Sequence, residues 1–132
     1  FLGVLDKSGM LTAIAQSVGG ILPEQLAPHL HMMIGAVGVP LELILSTDAY
    51  YFGLLPVVSE VVTPYDVAPH AVVYALLIGS IVGTFLSPFS PALWLALGLA
   101  ELEMGPHIRF SLAPMWAFAL ALMAVAMVLG VL

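Results

Sequence analysis

The stretch LELILSTDAYYFGLLP, residues 41–56, places the polar tripeptide Ser46-Thr47-Asp48 inside an otherwise apolar run. Around it, residues 26–62 contain no obvious loop, although one straight helix of that length would be about 55 Å long. The hydrocarbon core of a bilayer is only about 30 Å thick. In a membrane the segment must therefore break or double back. We predict a helix followed by a re-entrant helical hairpin, with the tripeptide at its tip.

The composition of the chain identifies the membrane as its solvent. Of the 132 residues, 62% are hydrophobic and 8% are charged, whereas a soluble domain carries about 25% charged residues. Two basic against eight acidic residues give a formal net charge of -6, which argues against nucleic acid as a partner. The absence of cysteine excludes disulfides and thiolate metal sites.

A second interruption follows in residues 67–100. Ser87-Pro88-Phe89-Ser90-Pro91 places two prolines three residues apart inside an apolar run, and proline removes a backbone donor and disrupts the preceding turn. We therefore predict a broken transmembrane helix here. Residues 110–132 are predicted to form the last transmembrane helix, after a polar loop at 101–109. Residues 1–25 are interpreted as a helix end, at 1–5, and an interfacial segment.

The length of the chain limits what it can build alone. Each spanning helix needs about 20 apolar residues, so 132 residues supply only about three or four membrane elements. The chain begins at Phe1 without an initiator methionine and ends inside an apolar segment. We expect it to be a fragment, with the missing part upstream.

Both interruptions are expected to carry chemistry. Non-helical backbone at membrane depth survives only where protein or a water-filled cavity surrounds it. Its free N–H groups attract anions and its free carbonyls attract cations, and transporters place discontinuous helices at their binding sites for this reason. A carboxylate such as Asp48 is costly at that depth, so it faces a cavity, a partner or a proton.

Structural alternatives stand beside these functional interpretations. Asp48 could serve as a cap, and the prolines of the second interruption could form a kink used only for packing. For Glu42, a role in coupling and a structural hydrogen bond are equally favoured interpretations. Gly79 and Gly83 form a face of small residues that allows another helix to approach closely. That face is also compatible with a homodimer.

Two segments resemble a known family. Ser46-Thr47-Asp48-Ala49-Tyr50-Tyr51-Phe52-Gly53-Leu54-Leu55-Pro56 and Leu86-Ser87-Pro88-Phe89-Ser90-Pro91-Ala92 closely resemble the C-terminal half of the citrate-metal:proton symporter family. That family is similar in turn to the wider ion-transporter superfamily. Its members look like two inverted repeats, each with a re-entrant hairpin and an interrupted helix. The resemblance implies an all-α integral membrane protein of which this chain is one repeat half.

The resemblance also implies a site and a function. The substrate-binding residues would be Ser46, Thr47 and Asp48 at the hairpin tip and Ser87, Pro88, Ser90 and Pro91 at the helix interruption. Asp48 would bind the metal of a metal-citrate complex or the coupled proton. The wider superfamily commonly has a Ser-Asn-Thr tip without an acid. The acid at Asp48 therefore argues against coupling to sodium alone and agrees with coupling to protons or divalent cations.

The leading hypothesis is a secondary transporter that takes up citrate, complexed with Mg²⁺ or Ca²⁺, by proton symport. The expected partners are citrate or a similar carboxylate, protons, the lipid bilayer and an N-terminal half of the same protein. No permanently bound cofactor is expected. The expected location is the cell membrane, as a multi-pass protein of the bacterial inner membrane. Alternatives are a carrier of another organic or inorganic anion on the same scaffold, and a channel or structural membrane subunit. No enzyme motif is present, so an enzyme is not predicted.

Overall fold

The described part of the protein is helical throughout its regular elements. The computed structural model describes residues 7–132 except Leu22 and Glu24, with only the backbone for Leu11, Ala15 and Gly19. Within these residues every regular element is an α, 3₁₀ or π helix. This confirms the predicted all-α class. The predicted helix end at residues 1–5 lies outside the described residues.

Short helices form the N-terminal part of the described chain. Helix α1, Met10–Ile21, continues through the Gly19-Gly20 pair, although glycine is a poor helix former. A short 3₁₀ turn, Ala27–His29, then leads into α2, Leu30–Ala36. Helix α3, Gly38–Leu41, follows after one residue.

The chain turns back on itself between residues 42 and 46. Ser46 begins a one-turn helix, α4, Thr47–Ala49, which runs through a π-helical turn, Tyr50–Leu54, into α5, Leu55–Val62. Helix α5 contacts both the Ala27–His29 turn and α2. The two arms therefore lie side by side as a helical hairpin, with Ser46, Thr47 and Asp48 at its turn.

Helix α6, Pro69–Thr84, packs across this hairpin. It contacts α2 and α3 through its glycine face. A Cβ added to Gly79 would lie 2.7 Å from the carbonyl oxygen of Gly35, and one added to Gly83 would lie 2.7 Å from Cγ of Glu42. Because no larger residue fits these positions without a shift of its neighbours, the predicted close approach at the small-residue face is confirmed.

The second interruption separates α6 from α7, Pro91–Leu99. Residues 85–90 form turns and extended backbone between the two helices. The last helix, α8, is Met104–Val128, so it begins at Met104 rather than at Phe110. His107 and Arg109, expected in a loop, therefore lie in its first turns. Pro106 explains the earlier start, since a proline in the first helical turn needs no backbone donor.

Helix α8 has the character of a membrane span. It is the one helix in the described ranges that is long and apolar enough to cross a bilayer, and 11% of its most apolar window is buried inside the fold. Met123 belongs to one core cluster with Leu76 of α6, and Ala119 belongs to a second with Val82 of α6. Leu112 and Met115 are partly buried against the second cluster. Most of the remaining apolar surface of α8 faces outward.

Candidate functional site

The hairpin turn presents one capped helix end and one exposed acid. The Ser46 hydroxyl oxygen accepts a hydrogen bond from the backbone N–H of Ala49 at 3.3 Å, which caps α4. Asp48 lies in the first turn of α4 and is exposed. Its carboxylate makes no hydrogen bond or ion pair with any residue that the structure describes. An acid held at the turn without a partner among the described residues is available to a cation or a proton.

The second interruption is built from serine and proline. The Ser87 hydroxyl oxygen, 1% exposed, accepts from the backbone N–H of Phe89 at 3.4 Å. The Ser90 hydroxyl oxygen accepts from the backbone N–H of Leu93 at 3.4 Å and caps α7. Pro91 is the first residue of α7, and the Pro88 carbonyl accepts from Nε1 of Trp94 at 2.7 Å.

The three serines share one property. Ser46, Ser87 and Ser90 each use the hydroxyl oxygen as an acceptor for a backbone N–H. A hydroxyl has one hydrogen and two lone pairs, so each serine keeps its hydrogen, and none donates it to another group in the described part of the chain. At Ser46 and Ser90, which are partly exposed, such hydrogens suit a ligand rich in acceptor oxygens, such as a carboxylate, whereas Ser87 is buried in this arrangement of the helices.

The tertiary structure brings the hairpin turn to the end of α6. The Thr47 and Thr84 hydroxyl oxygens lie 3.4 Å apart, and Thr84 is the last residue of α6 before the second interruption. No direct hydrogen bond joins the turn to Ser87 or Ser90 among the residues described. Thr47 is thus the predicted site residue that joins the hairpin turn to the end of α6, three residues before Ser87.

Sequence reasoning left the role of Glu42 open and missed its partners. Glu42 is fully buried, and its Oε1 accepts from the Ser80 hydroxyl at 2.6 Å. Its Oε2 lies 3.3 Å from the Thr47 hydroxyl. The available signal was the hydroxyl pair Ser80 and Thr84, spaced by four residues and therefore on one face of α6.

Tyr50 belongs to the core rather than to an open site. It is fully buried, and its hydroxyl has no hydrogen-bond partner among the described residues. A Cβ added to Gly38 would lie 2.8 Å from that hydroxyl oxygen. The tyrosine therefore fixes the position of the turn against the glycine face.

A resident metal site is not formed by the residues described. They contain no group of three or more His, Cys, Asp or Glu side chains able to hold a metal ion. Asp48 remains the predicted metal contact, for an ion that arrives with its carboxylate ligand.

The chain is similar along most of its length to proteins that are named as transporters. The chain is 33% identical to a protein named "Citrate transporter" from Bacillus subtilis (strain 168), over 89% of this chain and 27% of that protein's length. It is 28% identical to a "Mg(2+)/citrate complex secondary transporter" from the same organism, over 98% of this chain and 30% of that protein. These relatives confirm the resemblance to the citrate-metal:proton symporter family.

A further relative from Bacillus subtilis (strain 168), named "Uncharacterized transporter YraO", is 29% identical over 89% of this chain and 26% of its own length. The chain thus spans between a quarter and a third of the relatives that it matches. All three are named as transporters, in agreement with the prediction that this chain is not an enzyme. No protein-family model matches the chain, and no solved structure matches it at a significant level.

Proposed function

We propose that this chain supplies part of the substrate site of a secondary transporter that takes up citrate with a divalent cation by proton symport. The observation that carries the proposal is the similarity, over 98% of the chain, to a transporter named for the Mg²⁺/citrate complex. A carrier of this kind needs donors for an anion and an acid for a cation. The two interruptions supply both.

The proposed roles follow from the hydrogen bonds at each position. Ser46 and Thr47 donate their hydroxyl hydrogens to the carboxylates of citrate. Ser87 and Ser90 donate from the other side, with Pro88 and Pro91 holding the backbone of that interruption open. Asp48 contacts the divalent cation, Mg²⁺ or Ca²⁺, since a hard carboxylate oxygen suits such ions.

The proposed setting is a cell membrane crossed several times, with the helical hairpin re-entrant. Helix α8 would span the bilayer, and the turn at Ser46, Thr47 and Asp48 would lie at membrane depth, facing a cavity. The remaining walls of the pathway would come from outside the 132 residues, because the chain matches only 27% to 30% of the two citrate-transporting relatives.

Replacement of Asp48 by Asn tests the proposal in the full-length transporter. The uncharged amide loses the strong attraction for a divalent cation, so we expect uptake of citrate with Mg²⁺ or Ca²⁺ to be abolished while membrane insertion is retained. The matched control is Asp66→Asn. Asp66 is also exposed and has a left-handed backbone with a φ of 56°, which asparagine tolerates well.

The measurement is saturable uptake of labelled citrate into vesicles, with and without Mg²⁺, Ca²⁺ and a proton gradient. Full uptake by the Asp48→Asn variant would refute the role of Asp48. Uptake by the unaltered protein that ignores both divalent cations and the proton gradient would refute the coupling, and preference for a different anion would favour the other carrier.

A further inference from the structure

Glu42 belongs to a network of four polar contacts, two of which involve its own carboxyl group. The Ser80 hydroxyl lies 2.6 Å from Oε1 of Glu42, and the Thr47 hydroxyl lies 3.3 Å from Oε2. Thr47 also lies 3.4 Å from the Thr84 hydroxyl, which donates to the backbone carbonyl of Ser80 at 2.9 Å. The glutamate is fully buried, and Gly83 provides the space for its side chain.

The number of hydrogens in this network depends on the charge of Glu42. Each hydroxyl has one hydrogen to donate. The hydrogen of Thr84 lies on the Ser80 carbonyl, so the contact between the two threonines requires the hydrogen of Thr47. Thr47 then has no hydrogen left for Glu42. All four contacts are hydrogen bonds at once only when Oε2 of Glu42 carries a proton and donates it to Thr47.

No positive charge balances an ionised Glu42 in the part of the chain that the structure describes. The titratable or charged side chains on the elements around it are His31 on α2, Asp48, Tyr50 and Tyr51 after the hairpin turn, His70 and Tyr74 on α6, and His107 and Arg109 on α8. None of them makes an ion pair or hydrogen bond with Glu42. A buried carboxylate without a cationic partner carries a large desolvation penalty. The buried environment of Glu42 therefore favours the neutral acid.

We propose that Glu42 is the residue that carries the coupled proton, and that Thr47 links its protonation to the binding of citrate. The assignment rests on the proposed function and adds the proton carrier to it. During loading, one proton from the aqueous side joins Oε2 of Glu42 and converts the carboxylate to the acid. During unloading, the same proton returns to water on the opposite side.

Thr47 explains why the binding of a proton to Glu42 would favour the binding of citrate. It is partly exposed at the turn, and its single hydrogen is held by Glu42 when Glu42 is ionised. When Glu42 is protonated, Glu42 donates to Thr47 instead. The hydrogen of Thr47 is then released from the carboxylate and can turn from its 3.4 Å contact with Thr84 to a citrate carboxylate. Proton binding and citrate binding therefore favour each other, and the linkage is reciprocal. Both species then move in the same direction.

Replacement of Glu42 by Gln mimics the protonated acid, because the amide accepts from Ser80 and donates to Thr47. We expect the full-length Glu42→Gln transporter to retain exchange of external for internal citrate at equal pH. It should lose accumulation of citrate driven by a proton gradient, and its exchange should no longer depend on pH. The matched control is Glu60→Gln, at an exposed position on α5, which should behave as the unaltered protein in both assays.

Replacement of Thr84 by Val provides a second test that keeps the carboxyl group. Without the Thr84 acceptor, the hydrogen of Thr47 returns to Glu42 and stabilises the ionised form. We expect the pH of half-maximal citrate uptake to shift to a more acidic value.

The outcomes separate the two proposals. Proton-driven accumulation by Glu42→Gln at the level of the unaltered protein would overturn the assignment of Glu42, while citrate transport itself would stand. Should Glu42→Gln fail to insert, an unchanged pH profile in Thr84→Val would overturn the assignment and an acidic shift would support it. Absence of citrate exchange in the unaltered protein would refute the proposed function, and the role of Glu42 with it.

Discussion

Serine residues at the two interruptions serve the backbone and leave a hydrogen for another group. Ser46 and Ser90 cap α4 and α7, and Ser87 accepts from the next turn. A cap satisfies one of the free N–H groups at a helix start. These side chains are thus held in place by the fold, and any ligand that accepts their hydrogens meets groups that are already oriented.

Substitutions at Ser90 separate capping from ligand binding. Asp and Asn both cap helices about as well as Ser, so we expect the stability of α7 to change by less than about 0.5 kcal/mol in either variant. Asp adds a negative charge beside the proposed citrate site and should raise the KM for citrate, whereas Asn should not. The measurements are helix content by circular dichroism and initial uptake rates. An unchanged KM in Ser90→Asp would argue against a citrate contact at Ser90.

Asp48 and Glu42 differ in how much of their surroundings the sequence predicts. Asp48 stood out because an acid interrupts an apolar run, and the structure places it exposed at the hairpin turn. Glu42 interrupts the same run, but 38 residues separate it from Ser80. Local sequence patterns carry no information on a pairing at that separation, so its partners could not be predicted.

At the scale of elements, glycine decides which helices touch. Gly35 and Gly38 on the hairpin meet Gly79 on α6 so closely that their backbones are in contact. This contact positions Glu42 opposite Ser80. The alternation of interruption and helix was predictable because proline, glycine and hydroxyl residues mark it locally. Local sequence did not predict that α1 continues through Gly19-Gly20 or that α8 starts at Met104.

Alanine at two glycines tests this packing. In Gly79→Ala the new Cβ would lie 2.7 Å from the Gly35 carbonyl oxygen, and overpacking of this kind costs about 1–3 kcal/mol. Gly98, within α7, has no atom within 4 Å of an added Cβ, so Gly98→Ala should be neutral or stabilise by about 0.5–1 kcal/mol. Unfolding of the purified protein in detergent measures both. Equal stability of the two variants would contradict the close approach.

At the scale of the whole molecule, most of the apolar surface of α8 has no partner within the described residues. Only 11% of its most apolar window is buried, and Phe118 near its middle is 55% exposed. Lipid, or protein outside this chain, would cover such a surface in a membrane. The chain spans only 27% to 30% of the length of two relatives, which agrees with contacts of α8 either to lipid or to further protein.

Introduction of a charge into α8 tests its placement in the bilayer. Phe118→Arg puts a cation near the centre of the helix, which costs about 2.5–3.5 kcal/mol of insertion free energy. We expect a clear loss of inserted chains in a translocation assay. Ile14→Arg, at an exposed position of α1, is the control and should have a smaller effect if α1 lies at the interface. Equal insertion of Phe118→Arg and the unaltered chain would rule out a spanning α8.

The helical class, the membrane environment and the positions of the two interruptions could all be predicted from the amino-acid sequence. These properties follow from composition and from the local effects of proline, glycine and polar residues, so they can be read without knowledge of distant contacts. The tertiary structure alone decided that the hairpin turn meets the end of α6 and that Glu42 lies among the hydroxyls of Ser80, Thr47 and Thr84. Those contacts join residues that are 37 and 38 positions apart in the sequence. They depend on how closely two helices pack at their glycines, and this closeness depends on the shapes of both helix surfaces.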